Sequence, residues 1–340
     1  MNKVWNLPVA HLLSFSEIEE KRLVLLVTSA PAWNAVKDSL HLNIAAQLEA
    51  TEANTKHWDQ LLSGIESRDL EVVYAVGGGL VADAAKYLAV QRNLPLVVLP
   101  TALSVDAFLT SASGIRKTSP FPSPIGRGAG GEGRVRDSCV YYIETKPPET
   151  LILDLDVIAA APAWLRAAGI TDVLSIATGC WDWKFAHEQG KNPPGMEFIP
   201  WVYENVQSIL NGALDCAEAA GRGDHDGLKT LYDCLAMEVQ LCNQIGHARP
   251  EEGSEHYFAY SVENLVGPGW PHGDLVGPGI LTMSRLQGQD AGRLEAALRA
   301  CHVPLDRIPP QVVEETLRGL SVYCRHHQLP FGLAHTLETI

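Results

Sequence analysis

The chain has 340 residues, enough for two domains, and its 46% hydrophobic and 19% charged residues are typical of a globular protein with a sizeable core. Its net charge of −14 argues against a nucleic-acid partner, because phosphate backbones are bound by clustered Lys and Arg. No apolar run reaches transmembrane length, so we expect no membrane insertion. The seven cysteines include no CxxC pair, which indicates reduced thiols and a cytoplasmic protein.

The first half alternates short apolar runs with segments of helical spacing. The runs predict strands at 22–28, 71–76 and 94–100, and the segments between them predict helices at 31–40, 52–65 and 80–91. NIAAQLEAT (43–51) suits either a second strand or a helix end. Strands alternating with helices predict a parallel sheet, so we expect residues 1–160 to form an α/β dinucleotide-binding domain.

From about residue 156 the pattern becomes helical. Apolar residues recur at 3.6-residue spacing through five segments, which are 162–188, 197–221, 225–246, 292–302 and 310–326. We therefore expect residues 161–340 to form an all-α domain that binds metal and substrate.

Residues 118–136 fit neither half. This segment, TSPFPSPIGRGAGGEGRVR, is rich in glycine and proline and offers little apolar surface to bury. The sequence on either side is strand-rich. We interpret 118–136 as a flexible insertion within the first domain.

A strand, three glycines and a helix follow one another in VVYAVGGGLVADAAK. Glycines at such a turn let the backbone approach a diphosphate at the helix N-terminus, although a tight turn explains them equally well. Asp83 and Lys86 on the helix suit a solvated ion pair. The next strand is followed by Thr101, Ser104 and Asp106, which lie either where open sheets bind ligands or at a helix cap.

Two histidines stand in similar short contexts sixteen positions apart, His256 in GSEH and His272 in PHGD. That spacing is too long for one helix face, so the fold must bring two element ends together if they act jointly. Asp172 in AGITD is by itself a first-turn or N-cap residue, but it could supply a third group.

Five boxes occur in the order seen in the metal-dependent polyol dehydrogenase superfamily, which includes glycerol dehydrogenase, iron-containing alcohol dehydrogenases and 3-dehydroquinate synthase. They are GGGxxxDxAK (77–86), PTALSVDAF (100–108), AGITD (168–172), GSEH (253–256) and PHGD (271–274). The GSEH and AGxxD boxes and the pair Asp182–Trp183 most resemble the sn-glycerol-1-phosphate dehydrogenase branch. The resemblance implies a dehydroquinate synthase-like fold with an α/β domain and an all-α domain.

The resemblance also implies roles for individual residues. The metal ligands are Asp172, His256 and His272, and the catalytic residue facing substrate and nicotinamide is Asp106. The residues assigned to NAD or NADP are Gly77, Gly78, Gly79, Asp83, Thr101 and Ser104.

The chemistry of this ligand set agrees with a divalent metal. One carboxylate and two neutral imidazoles leave zinc a coordination position for a substrate oxygen, and iron or nickel accept the same ligands. The set also matches the facial triad of non-haem iron oxygenases, but those enzymes are usually β-barrels.

Three functions remain open at this stage. The first is an NAD(P) dehydrogenase acting on a small polyol or polyol phosphate, the second a cyclase of the dehydroquinate synthase type, and the third a catalytically silent scaffold. Asp172 and the scarcity of basic residues in 150–290 favour the dehydrogenase. Glu251 and Glu252 stand where the glycerol-phosphate branch has small residues, so neutral and phosphorylated substrates both stay open. We also expect a homo-oligomer.

Overall fold

The computed structural model describes residues 4–65, 69–122 and 136–337. Its first half contains a sheet of six parallel strands with the spatial order β1-β8-β5-β4-β2-β3. The strands are β1 (Val9–Leu12), β2 (Val24–Thr28), β3 (Ile44–Glu49), β4 (Val72–Gly77), β5 (Leu96–Pro100) and β8 (Thr150–Leu153). Every residue of β2, β4 and β5 is buried. A central parallel strand is covered on both faces, which explains why these three are continuous apolar runs.

Three helices connect the strands of this sheet: α1 (Ala30–Val36), α2 (Thr55–Ser63) and α3 (Gly79–Arg92). They confirm the expected alternation of strand and helix. The segment 43–51, which suited either element, contains the edge strand β3. Asn54 caps α2, since its side chain accepts a hydrogen bond from the His57 N–H.

An antiparallel hairpin stands apart from the sheet and consists of β6 (Ala112–Pro122) and β7 (Arg136–Glu144). Both strands reach into the Gly/Pro-rich segment 118–136, because residues 118–122 and 136 are strand. The other residues of that segment, 123–135, lie outside the described residues. Arg116 of β6 contacts Glu263 of the helical half, with Nε and Oε1 2.9 Å apart.

Helices follow the last strand of the sheet from Leu155 onward. They are α4 (Leu155–Ala160), α5 (Ala163–Arg166), α6 (Ile170–Leu174), α7 (Ile176–Glu188), α8 (Pro200–Arg222), α9 (His225–Ile245), α10 (Ser254–Val266), α11 (His272–Leu286), α12 (Gly292–Ala300) and α13 (Pro310–His326). The α/β and all-α architecture is therefore confirmed, whereas the division at residue 160 stays a prediction. None of the helices in the described ranges has both the length and the apolarity needed to cross a bilayer.

The helices differ in how much of their surface they bury. The long helices α8 and α9 pack against each other and bury one apolar stripe each, as amphipathic helices do. By contrast α10 buries its first eleven residues, Ser254 to Asn264, on all sides. The polar residues of α10 are therefore part of the interior, and their partners decide what the helix can do.

Candidate metal and dinucleotide site

A cavity of about 1380 Å³ lies between the sheet and the helical half. Such a volume exceeds that of ordinary small-molecule pockets and has room for a dinucleotide beside a small substrate. Eight of the ten predicted site residues line it: Gly78, Gly79, Asp83, Ser104, Asp106, Asp172, His256 and His272. Gly77 and Thr101 are not among its lining residues, although the Thr101 N–H donates to the Gly77 carbonyl oxygen at 3.3 Å.

The glycine turn joins β4 to α3 and leaves no room for side chains. A Cβ on Gly77 would lie 2.8 Å from a methyl carbon of Val81, and one on Gly79 would lie 2.6 Å from a methyl carbon of Val105. Gly78 is the N-cap of α3, a helix of fourteen residues. The turn therefore offers backbone N–H groups and a positive helix end to the cavity, which suits a diphosphate.

Lys86 holds the loop that follows β5. Its side chain is fully buried, and its Nζ lies 3.0 Å from Asp83 Oδ1. The ammonium group also donates to the Ala107 carbonyl oxygen at 2.8 Å, to Thr110 Oγ1 at 3.1 Å and to the Ala112 carbonyl oxygen. The prediction of a solvated Asp83–Lys86 pair was therefore wrong, because the pair anchors the chain just beyond Asp106.

The same loop meets the helical half through backbone contacts. The Leu103 N–H donates to the Arg166 carbonyl oxygen at 2.9 Å, and the Gly169 N–H donates to the Leu103 carbonyl oxygen at 2.8 Å. The Asp106 N–H then donates to Asp172 Oδ2 at 2.9 Å. These contacts place Asp106 and Asp172 side by side, although they come from different halves of the chain.

Asp172, His256 and His272 converge at one end of the cavity. One ligand atom from each lies within 4.8 Å of the others, and Asp172 Oδ1 is 3.1 Å from His272 Nε2. The two imidazole rings have centroids 5.3 Å apart. Asp172 and His256 are buried and His272 is half-buried. A buried carboxylate and two imidazoles at this spacing fit the tetrahedral preferences of a divalent metal with one position open.

The surroundings of the triad are strongly acidic. Burial raises the pKa of Asp106 well above its ordinary value, and the nearby carboxylates of Asp172 and Glu251 raise it further. Burial also raises the pKa of Glu251, which lies beside Asp172 and Glu238. Ionised carboxylates buried around one point repel each other, and either protonation or a cation among them relieves this repulsion. The electrostatics thus agree with a metal cation at the triad.

Two buried carboxylates to which the sequence assigned no individual role, Asp182 and Glu255, support the start of α10. Asp182 Oδ2 accepts hydrogen bonds from the Ser254 N–H at 2.7 Å and the Ser254 hydroxyl at 2.5 Å. Glu255 Oε1 lies 2.9 Å from His256 Nδ1. Burial lowers the pKa of His256, but the hydrogen bond and charge of Glu255 outweigh it and raise the pKa to about 9. Glu255 directly precedes His256, and this adjacency is the one signal that could have identified it.

The sequence is similar to several characterised groups. The family model for iron-containing alcohol dehydrogenases matches residues 9–126. The glycerol-1-phosphate dehydrogenase [NAD(P)+] of Aeropyrum pernix is 31% identical over 266 residues, which cover 77% of this chain and 68% of the relative. The enzyme of the same name from Pyrococcus horikoshii is 26% identical over 270 residues, 78% of this chain and 71% of the relative.

The fold is also similar to solved structures. A probable glycerol dehydrogenase from Sinorhizobium meliloti superposes with a TM-score of 0.65 at 18% identity, covering 100% of this chain and 95% of the other. Glycerol dehydrogenase from Schizosaccharomyces pombe gives a TM-score of 0.63 at 19% identity, covering 94% and 83% of the two chains.

Gly169 provides a test of the contact between the two halves. A Cβ there would lie 3.0 Å from the Leu103 carbonyl oxygen and 3.2 Å from the Val105 nitrogen, both of them backbone atoms. We expect Gly169→Ala to lower the free energy of unfolding by about 1–3 kcal/mol, because the loop must move away. The change should be measured by urea denaturation.

Gly64→Ala is the matched control. Gly64 is the C-cap of α2 and Gly169 is the N-cap of α6. Both have right-handed helical backbone angles, so alanine strains neither backbone. The nearest atom to a Cβ on Gly64 is 3.5 Å away, an ordinary contact. If the two variants have equal stability, the close approach at Gly169 does not constrain the structure.

Proposed function

We propose, on the premise that the chain belongs to the glycerol-1-phosphate dehydrogenase family, that it is a metal-dependent NAD(P) oxidoreductase that interconverts a small polyol or polyol phosphate and its ketone. The observation that supports this most is the position of Asp172, His256 and His272, which line the same cavity as the glycine turn of α3. A metal and a dinucleotide can therefore meet there over one substrate.

The metal that we propose is zinc, held by Asp172, His256 and His272, and iron or nickel would accept the same ligands. Such an ion acts as a Lewis acid that makes a substrate hydroxyl more acidic and so favours hydride loss to the nicotinamide. We propose that NAD(P) lies along Gly78 and Gly79, beside Asp83 and Ser104. Gly77 and Thr101, which are bonded to each other behind the cavity lining, would support this turn.

Asp106 is proposed to orient the substrate. Asp106 lines the cavity, and its backbone N–H donates a hydrogen bond to Asp172 Oδ2. This backbone bond holds Asp106 next to the triad, of which it is not a member. From there it can form a hydrogen bond with a substrate hydroxyl across the cavity.

The proposed activity is tested with a substrate panel. Glycerol, sn-glycerol-1-phosphate, dihydroxyacetone phosphate and 1,2-propanediol are assayed with NAD and NADP after reconstitution with zinc, iron or nickel. We expect net, metal-dependent reduction of the cofactor by at least one alcohol of the panel. No net reduction of NAD or NADP by any alcohol of the panel would contradict a polyol dehydrogenase. The homo-oligomeric state and cytoplasmic location stay predictions.

Asp106→Asn separates catalysis from metal binding. The backbone N–H that binds Asp172 is unchanged in this variant, so we expect full metal content and cofactor affinity. Turnover should fall about 10- to 1000-fold, because positioning and one charge-assisted hydrogen bond contribute a few kcal/mol to the transition state. His256→Ala should lose metal and activity together. Loss of metal from Asp106→Asn would mean that Asp106 is itself a ligand.

We propose that the cofactor is NAD rather than NADP. Glu52 lines the cavity just beyond β3, and an acidic residue near that strand end can bind the ribose hydroxyls and repel a 2′-phosphate. We therefore expect Glu52→Gln to lower the preference for NADH, which is kcat/KM with NADH divided by kcat/KM with NADPH, about tenfold. Glu49→Gln is the control, since Glu49 ends β3 but is not among the residues that line the cavity. A wild-type preference for NADPH contradicts the proposal.

A further inference from the structure

The first turn of α10 contains two adjacent buried side chains, one acidic and one basic. Glu255 is 0% exposed and His256 is 6% exposed. The turn is held from outside by Asp182, which accepts hydrogen bonds from the backbone and hydroxyl of Ser254. Asp182 therefore accepts from the first backbone N–H of α10, that of Ser254.

The Glu255 carboxylate has a fixed orientation. Its Oε1 accepts a hydrogen bond from the Gly253 N–H at 2.6 Å and lies 2.9 Å from His256 Nδ1. An imidazole whose Nδ1 is bound to a carboxylate has only Nε2 left to offer to another partner. The contact with Glu255 therefore selects which ring nitrogen of His256 is available at the triad.

The hydrogen bond to Gly253 does not by itself explain why this buried residue carries a charge. Burying a carboxylate costs several kcal/mol unless it is paired, and its Oε2 has no hydrogen-bond partner among the described residues. A glutamine would fill the same space without the charge. A carboxylate is favoured at this position if the imidazole beside it acquires positive charge when it binds a cation.

We infer that Glu255 is a positioning residue, which holds His256 with Nε2 directed to the metal and strengthens the metal–imidazole bond. This inference depends on the proposed metal site. A carboxylate behind a ligating histidine fixes the orientation of the ring and raises its basicity, and loss of such a partner typically weakens metal binding by about 10–100-fold.

The test measures the zinc dissociation constant of the full-length protein by chelator competition, in wild type, Glu255→Gln and Glu255→Ala. We expect Glu255→Gln to bind zinc about tenfold more weakly, because the amide oxygen still accepts from Nδ1 but the charge is lost. Glu255→Ala should bind about 100-fold more weakly. Thermal unfolding of the metal-free proteins is measured in parallel, since a purely structural residue would change this stability and leave the zinc affinity of the folded protein unaltered.

Glu263→Gln is the matched control on the same helix. Glu263 is also a buried glutamate of α10, but it pairs with Arg116 and lies seven residues beyond His256. The zinc dissociation constant of Glu263→Gln should stay within about threefold of the wild-type value. If Glu255→Ala does not fold, the zinc dissociation constant of Glu255→Gln alone tests the inference.

The outcomes distinguish this inference from the proposed function. If wild type and His256→Ala bind zinc equally, the metal site itself is wrong, and the role of Glu255 is rejected with it. If wild type binds zinc, His256→Ala does not, and Glu255→Gln matches wild type within threefold, only the inference about Glu255 is overturned.

Discussion

The site depends on the close approach of two backbone segments, the loop after β5 and the chain that enters α6. Gly169 makes this approach possible, since its hydrogen bond to the Leu103 carbonyl oxygen is 2.8 Å long and a side chain would collide with that loop. The bond from the Asp106 N–H to Asp172 forms at the same junction. A proposed metal ligand from the helical half and a candidate catalytic residue from the sheet half thereby lie side by side at the boundary between the halves.

The other two proposed ligands lie at the starts of helices. His256 lies in the first turn of α10 and His272 is the first residue of α11. Helix starts are positions at which a side chain can point away from the packed interior and toward a cavity. Several buried carboxyl groups surround the triad, among them Asp106 and Glu251. A divalent cation bound at the triad would offset their mutual repulsion.

The sequence predicted most of the fold because burial leaves a clear pattern in central strands and amphipathic helices. The strands β2, β4 and β5 are apolar throughout, and α8 and α9 have regular apolar stripes. Edge strand β1 is exposed along its whole length, so no apolar run marked it. The segment containing β3 stayed ambiguous for the same reason, since its residues are at most half-buried.

The site was less accessible to sequence reasoning, because its contacts join residues far apart in the chain. Asp172 by itself suits a helix start, and only the family resemblance assigned it to a metal. The burial of Lys86 and the hydrogen bonds of Asp182 depend on tertiary packing that local spacing does not reveal.

X-ray absorption spectroscopy of the zinc-loaded protein tests the central claim most directly, because it reports the ligand atoms of the ion itself. The account predicts about four nitrogen and oxygen neighbours at roughly 2.0–2.2 Å, with the outer-shell scattering of two imidazoles. In Asp172→Asn and His272→Ala this spectrum should be lost or altered. A zinc ion bound by sulfur, or one surrounded by water with no imidazole scattering, would contradict the account.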